Sequence, residues 1–307
     1  MAENNKKKEQ FEKDTRQLFH KLHSAQADND YIFNRLTSLL STEYLQVEED
    51  FFTGKICLDA GCGSNANATY ALLQMGAEKV YAFDLNETIH EKAPKMLQEF
   101  DSQRYELTTG SVLDIPFADN TFDFIHCGGV LHHSADVLQG LRELARVTKP
   151  RGVLYIHTYG AGGLIREMTT FFREKYSQDD AFKKLIDNLN AQKLQLGIFN
   201  IFDSMEKHGD NLGRKIPTQM IEELVDDDLV LTIQDRIAAP AYHEHTEEQL
   251  RTCLEEEGFS DIERLTRYPY LKNIRRFLSP LYEEYDSEIA QLCYGSGLIQ
   301  LKAIKND

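Results

Sequence analysis

Asp59 closes a short apolar run, Ile56-Cys57-Leu58, and a turn carrying Gly61 and Gly63 follows at once. Asp84 ends a second apolar stretch, VYAFD, and Asp114 sits inside GSVLDIPF. An acid at the end of a strand, facing a glycine turn, accepts hydrogen bonds from the paired hydroxyls of a ribose. The turn departs from the dinucleotide pattern G-x-G-x-x-G, because Ser64, Asn65 and Ala66 follow Gly63. The acid ahead of the turn also suits a cationic ligand better than a phosphate. An ammonium group fits Asp59 and the turn amides, a ribose fits Asp84, and backbone groups of Ser111 to Leu113 can edge an adenine. Together these features describe an adenosine with an amino-acid tail and no phosphates.

A second group of residues suits proton transfer or substrate contact. His132 and His133 follow the fourth expected strand, where either could deprotonate a phenol, amine or acid; the alternative is that both belong to the start of the next helix. His126, within that strand, is expected to pack against the sheet, with a catalytic base as the alternative. Tyr159, just past the fifth strand, is placed as a substrate contact. His243 and His245 flank Glu244 without a third convergent ligand or H-E-x-x-H spacing, so no metal is expected. Cys62 has no partner at C-x-x-C spacing and reads as a small filler. Arg166, Arg173 and Arg236 could hold a substrate carboxylate, or form ordinary ion pairs.

These residues require an alternating scaffold. Strands are expected at about 55–59, 79–84, 104–109, 122–126 and 153–157, with helices at about 66–76 and 88–99. Val137, Leu138, Leu141, Leu144 and Val147 mark a further helical face, with Ser134 as its expected cap. Such a series builds a parallel sheet covered on both faces. Before it, Phe11, Leu18, Phe19, Leu22 and Leu36 recur at helical spacing; Tyr31 and Phe33 read as core contacts or, alternatively, ligand contacts. Between about Gly160 and Pro240 the strands stop and helical spacing takes over, with glycines at 160, 162 and 163 as candidate hinges and Phe and Met residues more suited to a local core than to a ligand box. Placed after a strand whose end faces the ligand crevice, this insertion is expected to cap the site. Thr246 to Gln249 has capping-box spacing, Phe259 to Leu265 is a strand, 272–292 a helical stretch broken at Pro280, and Gly297 to Ile304 the last strand. The expected organisation is N-terminal helices over 1–54, a cofactor-binding half over 55–160, a helical cap over 161–240 and the C-terminal part of the α/β domain over 241–307.

Asp and Glu outnumber Lys and Arg by 50 to 34, a formal charge of −16, which argues against nonspecific nucleic-acid binding. Five cysteines without close-spaced pairs fit a reducing compartment. No apolar run approaches the roughly 18 residues of a membrane span, so a cytoplasmic protein without membrane contact is expected. A homodimer through the N-terminal helices or the cap is compatible with the sequence, but no feature specifies it.

LDAGCGS, VYAFDLN, GSVLDIPFADNTFDFIHCGGVLHH and LRELARVTKPRGVLYIHTYG, in order from about 55 to 160, resemble the motifs of the class I S-adenosylmethionine-dependent methyltransferases. HTEEQLRTCLEEEGFSDIERL is a weaker echo. The resemblance implies a three-layer Rossmann-like α/β fold: a seven-stranded, mostly parallel sheet in the order 3-2-1-4-5-7-6 with strand seven antiparallel. It implies S-adenosyl-L-methionine as cofactor, held by Asp59, Ala60, Gly61, Cys62 and Gly63 in the first motif and by Asp84 and Leu85 in the second. Ser111, Val112, Leu113 and Asp114, with Cys127 on the fourth strand, complete the set. Ser111 stands where many members carry an acid, and KPRG replaces the usual lysine-proline-glycine-glycine turn. The implied activity is in-line methyl transfer to an oxygen or nitrogen of a small molecule, with His133, His132 and Tyr159 as the catalytic candidates. A protein or peptide acceptor, a carboxylated form of the cofactor, and a noncatalytic regulatory protein are the alternatives.

Overall fold

The computed structural model describes the backbone of residues 2–26 and 30–307 and the side chains of 10–22 and 33–307. The side chain of Tyr31 therefore lies outside the described residues, while Phe33 meets Tyr70 edge-on at 5.4 Å. Helices Ala2–Gln26, Asp30–Thr37 and Thr42–Leu45 precede the first strand. The last of these is capped by Ser41, whose hydroxyl accepts from the Tyr44 amide.

The strands are β1 (Ile56–Ala60), β2 (Lys79–Asp84), β3 (Tyr105–Thr109), β4 (Phe122–Gly128), β5 (Thr148–Tyr159), β6 (Phe259–Arg264) and β7 (Leu298–Lys305). Among the described residues they form one seven-stranded sheet in the order β3-β2-β1-β4-β5-β7-β6. β1 to β5 pair in parallel, and β7 runs antiparallel to both β5 and β6. This is the expected fold. Side chains alternate between two cores, as the strand period of two requires. Leu58, Ile125, Leu154 and Ile156 face the helices Val137–Val147 and Glu247–Glu256. Cys57, Phe124 and Tyr155 face the N-terminal segment and the helices Asn67–Gln74 and Ile89–Met96.

Two local features differ from the sequence reading, and a third, the break at Pro280, is as expected. Helix Val137–Val147 is capped by Asp136, whose carboxylate accepts from the Gln139 amide, while the Ser134 hydroxyl donates to Leu131 O and closes the preceding turn. β5 starts at Thr148, with the KPRG segment folded into it as an irregularity against β4. Arg151 there takes a left-handed φ of 62°, a conformation that glycine adopts more easily. The stretch 272–292 is a turn of 3-10 helix (Ile274–Leu278) and two short helices, Pro280–Glu283 and Glu288–Tyr294, because Pro280 can only start a helix. The capping box at Thr246 and Gln249 forms with both reciprocal bonds.

The chain divides into two compact units: Met1–Gly162 with Pro240–Thr266 and Ser296–Asp307, and Gly163–Ala239 with Arg267–Gly295. The sheet lies in the first. The second is helical: Leu164–Gln178, Asp180–Asp187, Ala191–Lys207, Thr218–Leu224 and Asp227–Ala238, joined by the short helices between β6 and β7. Arg173 caps one helix end by donating to the carbonyls of Arg236, Ile237 and Ala239. Asn273 donates to Asp226, and Arg275 pairs with Asp228. Met168 and Phe171, expected in a local core, are exposed. A Cβ at Gly163, where φ is +83°, would sit 2.3 Å from the Gly295 amide, so close backbone approach requires glycine there.

Phe124, fully buried and edge-on to Phe52 at 5.0 Å, joins β4 to the N-terminal segment. Phe124→Ala should cost about 3–5 kcal/mol, read from urea unfolding; a loss below about 1 kcal/mol would contradict this packing.

Candidate functional site

The strand order reverses between β1 and β4, the topological switch point at which open α/β sheets bind ligands. Asp59, at the end of β1, is buried to 1 % exposure. Its Oδ2 accepts from the amide and hydroxyl of Thr69 at 2.9 and 2.8 Å, which fixes the first turn of helix Asn67–Gln74. Its Oδ1 lies 3.0 Å from His126 Nδ1 on β4. Asp59 therefore ties β1 to helix Asn67–Gln74 and to β4. The turn amides are committed in the same way: Gly61 N and Cys62 N both donate to Phe83 O, and Gly63 N donates to Asp84 Oδ2 at 2.9 Å. Gly61 holds φ +76°, and a Cβ there would lie 2.3 Å from Val130. The turn thus needs glycine for both conformation and space.

Asp84, half-buried at the end of β2, also accepts from the Asn86 amide through Oδ1 at 2.9 Å. Two backbone donors aim it, and a carboxylate keeps further lone pairs for two hydroxyls. Nearby in sequence, Asn65 Oδ1 and Asn86 Nδ2 are buried without a hydrogen-bond partner. Each such atom costs about 1–3 kcal/mol unless a ligand or water meets it. One is an acceptor and the other a donor, so the two side chains can meet a ligand's donor and acceptor groups respectively. The pair suits S-adenosylmethionine.

The segment after β3 has one partner the sequence did not reveal. Val112 and Leu113 are buried beside Phe83, and Asp114 is exposed. Ser111 Oγ donates to Glu12 Oε1 at 3.0 Å, so the N-terminal helix brings a carboxylate to the position where many members carry an acid in the chain itself. No local pattern at Glu12 signals this contact. Leu85 is half-buried. Ala60 and Cys127 are fully buried in the core, so neither offers a side chain to a ligand. Desolvation, then the Asp59 and Asp84 carboxylates, push the Cys62 thiol well above its ordinary range, consistent with a filler. Desolvation and Asp59 do the same to Cys127.

The catalytic candidates converge at the end of β5. The His132 ring stacks on Tyr159 at 3.8 Å, His133 lies 4.2 Å from His132, and Tyr242 is 5.2 Å from Tyr159. His132 and His133 are buried, with Nδ1 on Thr158 Oγ1 and on Ala241 O respectively. Segment 241–246 runs beside them: His243 N donates to His132 O, His245 N to Tyr159 O, and Ala161 N to His245 O. Burial first, then His243, holds the His245 imidazole below its ordinary pKa. The sequence showed this histidine pair but not that it lies against the earlier one, a contact between residues far apart in the chain. Asp84→Asn should raise the dissociation constant for S-adenosylhomocysteine about 10–100-fold by calorimetry while leaving the melting temperature nearly unchanged; unchanged affinity would remove Asp84 from the site.

Residues 58–156 match the family model described as a methyltransferase domain. Among curated proteins, the chain is 34% identical over 105 residues to a demethylmenaquinone methyltransferase of Bacillus mycoides, covering 34% of this chain and 44% of the relative. It is 32% identical over 130 residues to the protein of that name from Geobacillus stearothermophilus, covering 39% and 55%. The chain thus spans about half the length of these relatives. Among solved structures, the Haloferax volcanii complex of the Trm112 methyltransferase activator with a methyltransferase gives a TM-score of 0.53 at 12% identity, covering 95% of this chain and 98% of the matched chain. The Burkholderia thailandensis 1,6-didemethyltoxoflavin-N1-methyltransferase, solved with 1,6-didemethyltoxoflavin and S-adenosylhomocysteine, gives 0.50 at 14% identity, covering 98% and 91%. These two likenesses concern the fold. Residues 58–156 therefore carry a methyltransferase domain, and its motifs and strand order are those of the class I S-adenosylmethionine-dependent fold.

Proposed function

We propose that the chain is an S-adenosylmethionine-dependent methyltransferase that moves a methyl group to an oxygen or nitrogen of a small molecule by in-line displacement. The observation that carries the reading is Asp84, held by the amides of Gly63 and Asn86 opposite the glycine turn. In this reading Asp84 takes the ribose hydroxyls, and Asn65 and Asn86 meet polar groups of the amino-acid tail. The apolar edge of Val112 and Leu113 flanks the adenine, with Glu12 and Ser111 beside it. When bound, the cofactor supplies an electrophilic methyl group whose leaving thioether is neutral and needs no acid.

What the chain must then provide is alignment of the acceptor and a place for its proton. The rings of His132, His133, Tyr159 and Tyr242 pack together at the end of β5, and in this reading they back the place of the acceptor. Their buried, hydrogen-bonded histidines favour positioning over proton transfer. The name shared by the two curated relatives directs the first acceptor trials to quinols. Five free cysteines support a reducing, cytoplasmic setting. Among the described residues no helix is long and apolar enough to cross a membrane.

Calorimetric titration with S-adenosylhomocysteine should show saturable, one-site binding. Incubation with methyl-tritiated S-adenosylmethionine and a small-molecule extract should then place label in the organic-extractable fraction. Absence of binding would overturn the reading, and label confined to protein would favour a protein or peptide acceptor.

A further inference from the structure

His126 packs against the sheet as expected, and its polar surroundings give it more to do. Its Nδ1 lies 3.0 Å from Asp59 Oδ1. A carboxylate can only accept, and the other oxygen of Asp59 already takes two donors from Thr69. The imidazole proton therefore belongs on Nδ1, leaving the Nε2 lone pair directed away from Asp59. Among the described residues the ring makes no second hydrogen bond.

The ring also has space and access. It lies flat against Tyr155 at 5.4 Å and 11°, which sets its plane. A Cβ at Gly128 would come within 2.8 Å of His126 Cε1 and Nε2, so the missing side chain at 128 is what lets the ring lean toward the C-terminal end of β4. Gly129 follows with φ +81° and open space around it. His126 keeps 16 % of its side chain exposed against 1 % for Asp59. A carboxylate behind Nδ1, an aromatic face beside the ring and a glycine in front of Nε2 make an oriented base at the mouth of the switch point.

We propose that His126 is the catalytic base of this site and that its acceptors are molecules carrying an ionisable hydroxyl or N–H group. The inference rests on the methyltransferase reading above. The acceptor proton passes to His126 Nε2 as the acceptor oxygen or nitrogen forms a bond to the methyl carbon of S-adenosylmethionine. The carbon–sulfur bond breaks and its electron pair stays on sulfur as the neutral thioether. His126 ends as an imidazolium beside the Asp59 carboxylate, which offsets the new charge, and releases the proton to water. Asp59 is thus a positioning residue.

Three measurements on the full chain test this. Long-range proton–nitrogen correlation spectra of histidine-labelled protein should show His126 as the Nδ1–H tautomer, with the preference lost in Asp59→Asn. Diethyl pyrocarbonate should carbethoxylate His126, and S-adenosylhomocysteine should protect it. With naphthohydroquinone as the probe acceptor, His126→Asn, whose amide can keep the bond to Asp59, should lower kcat at least ~100-fold and leave the S-adenosylhomocysteine dissociation constant within about threefold. A circular-dichroism melt separates this from misfolding. An Nε2–H tautomer, a ring inert to the reagent, or undiminished turnover in His126→Asn would overturn the proposal. Failure of the wild-type chain to bind S-adenosylhomocysteine would instead overturn the methyltransferase reading, while the tautomer result would still report on the dyad.

Discussion

The site depends on one buried carboxylate. Asp59 sits where β1 ends, and burying its charge is tolerable only because three donors surround it. Two come from Thr69 and start helix Asn67–Gln74; the third comes from His126 and ties β1 to β4. The same bonds that lower the cost of the charge fix the geometry on both sides of the strand-order reversal. With Asp59 held in this way, the glycine turn closes on Phe83 O, and Gly63 N is left to aim Asp84. Structure and recognition are not separable here, because each donor that satisfies one carboxylate places the next group in line.

Sheet register then does the rest. Ala60 on β1 pairs with Phe83 on β2, and Asp59 pairs with His126 on β4, so the ends of three strands reach one edge together. β5 carries Tyr159 to that edge, where segment 241–246 meets it. The sheet's face explains why His126 and Cys127, neighbours in sequence, have opposite fates: Cys127 is sealed in the core against helix Val137–Val147, and His126 shares its face with Tyr155 and the cleared position at Gly128.

Much of this was legible in the sequence because the signals are local. Asp59, Gly61, Gly63 and Asp84 are punctuation within one βαβ unit, and the apolar runs of β1, β2 and β5 have a single sensible pairing. The capping box at Thr246 is likewise a four-residue pattern. Contacts between distant residues were not legible: Glu12 with Ser111, the histidine-bearing segment 241–246 with His132 and Tyr159, and His126 with Asp59. Spacing suggested that the turn amides would face a ligand, but only the folded chain shows Phe83 O and Asp84 taking them. Ser134 and Asp136 are both acceptable caps by residue type, and the choice between them depends on where the turn after β4 releases the chain. Residues 267–295 read as an extension of the α/β domain because they lie between two of its strands, although they group with the helical unit.

The most direct test of the central claim is a crystal structure of the chain with S-adenosylhomocysteine bound. The ribose hydroxyls should lie on the Asp84 carboxylate, with Asp59 still bonded to Thr69 and His126 and the sulfur opening onto the space beside Gly128 and Gly129. A nucleoside bound away from Asp84, or an Asp59 that has left His126 to contact the ligand itself, would contradict the account.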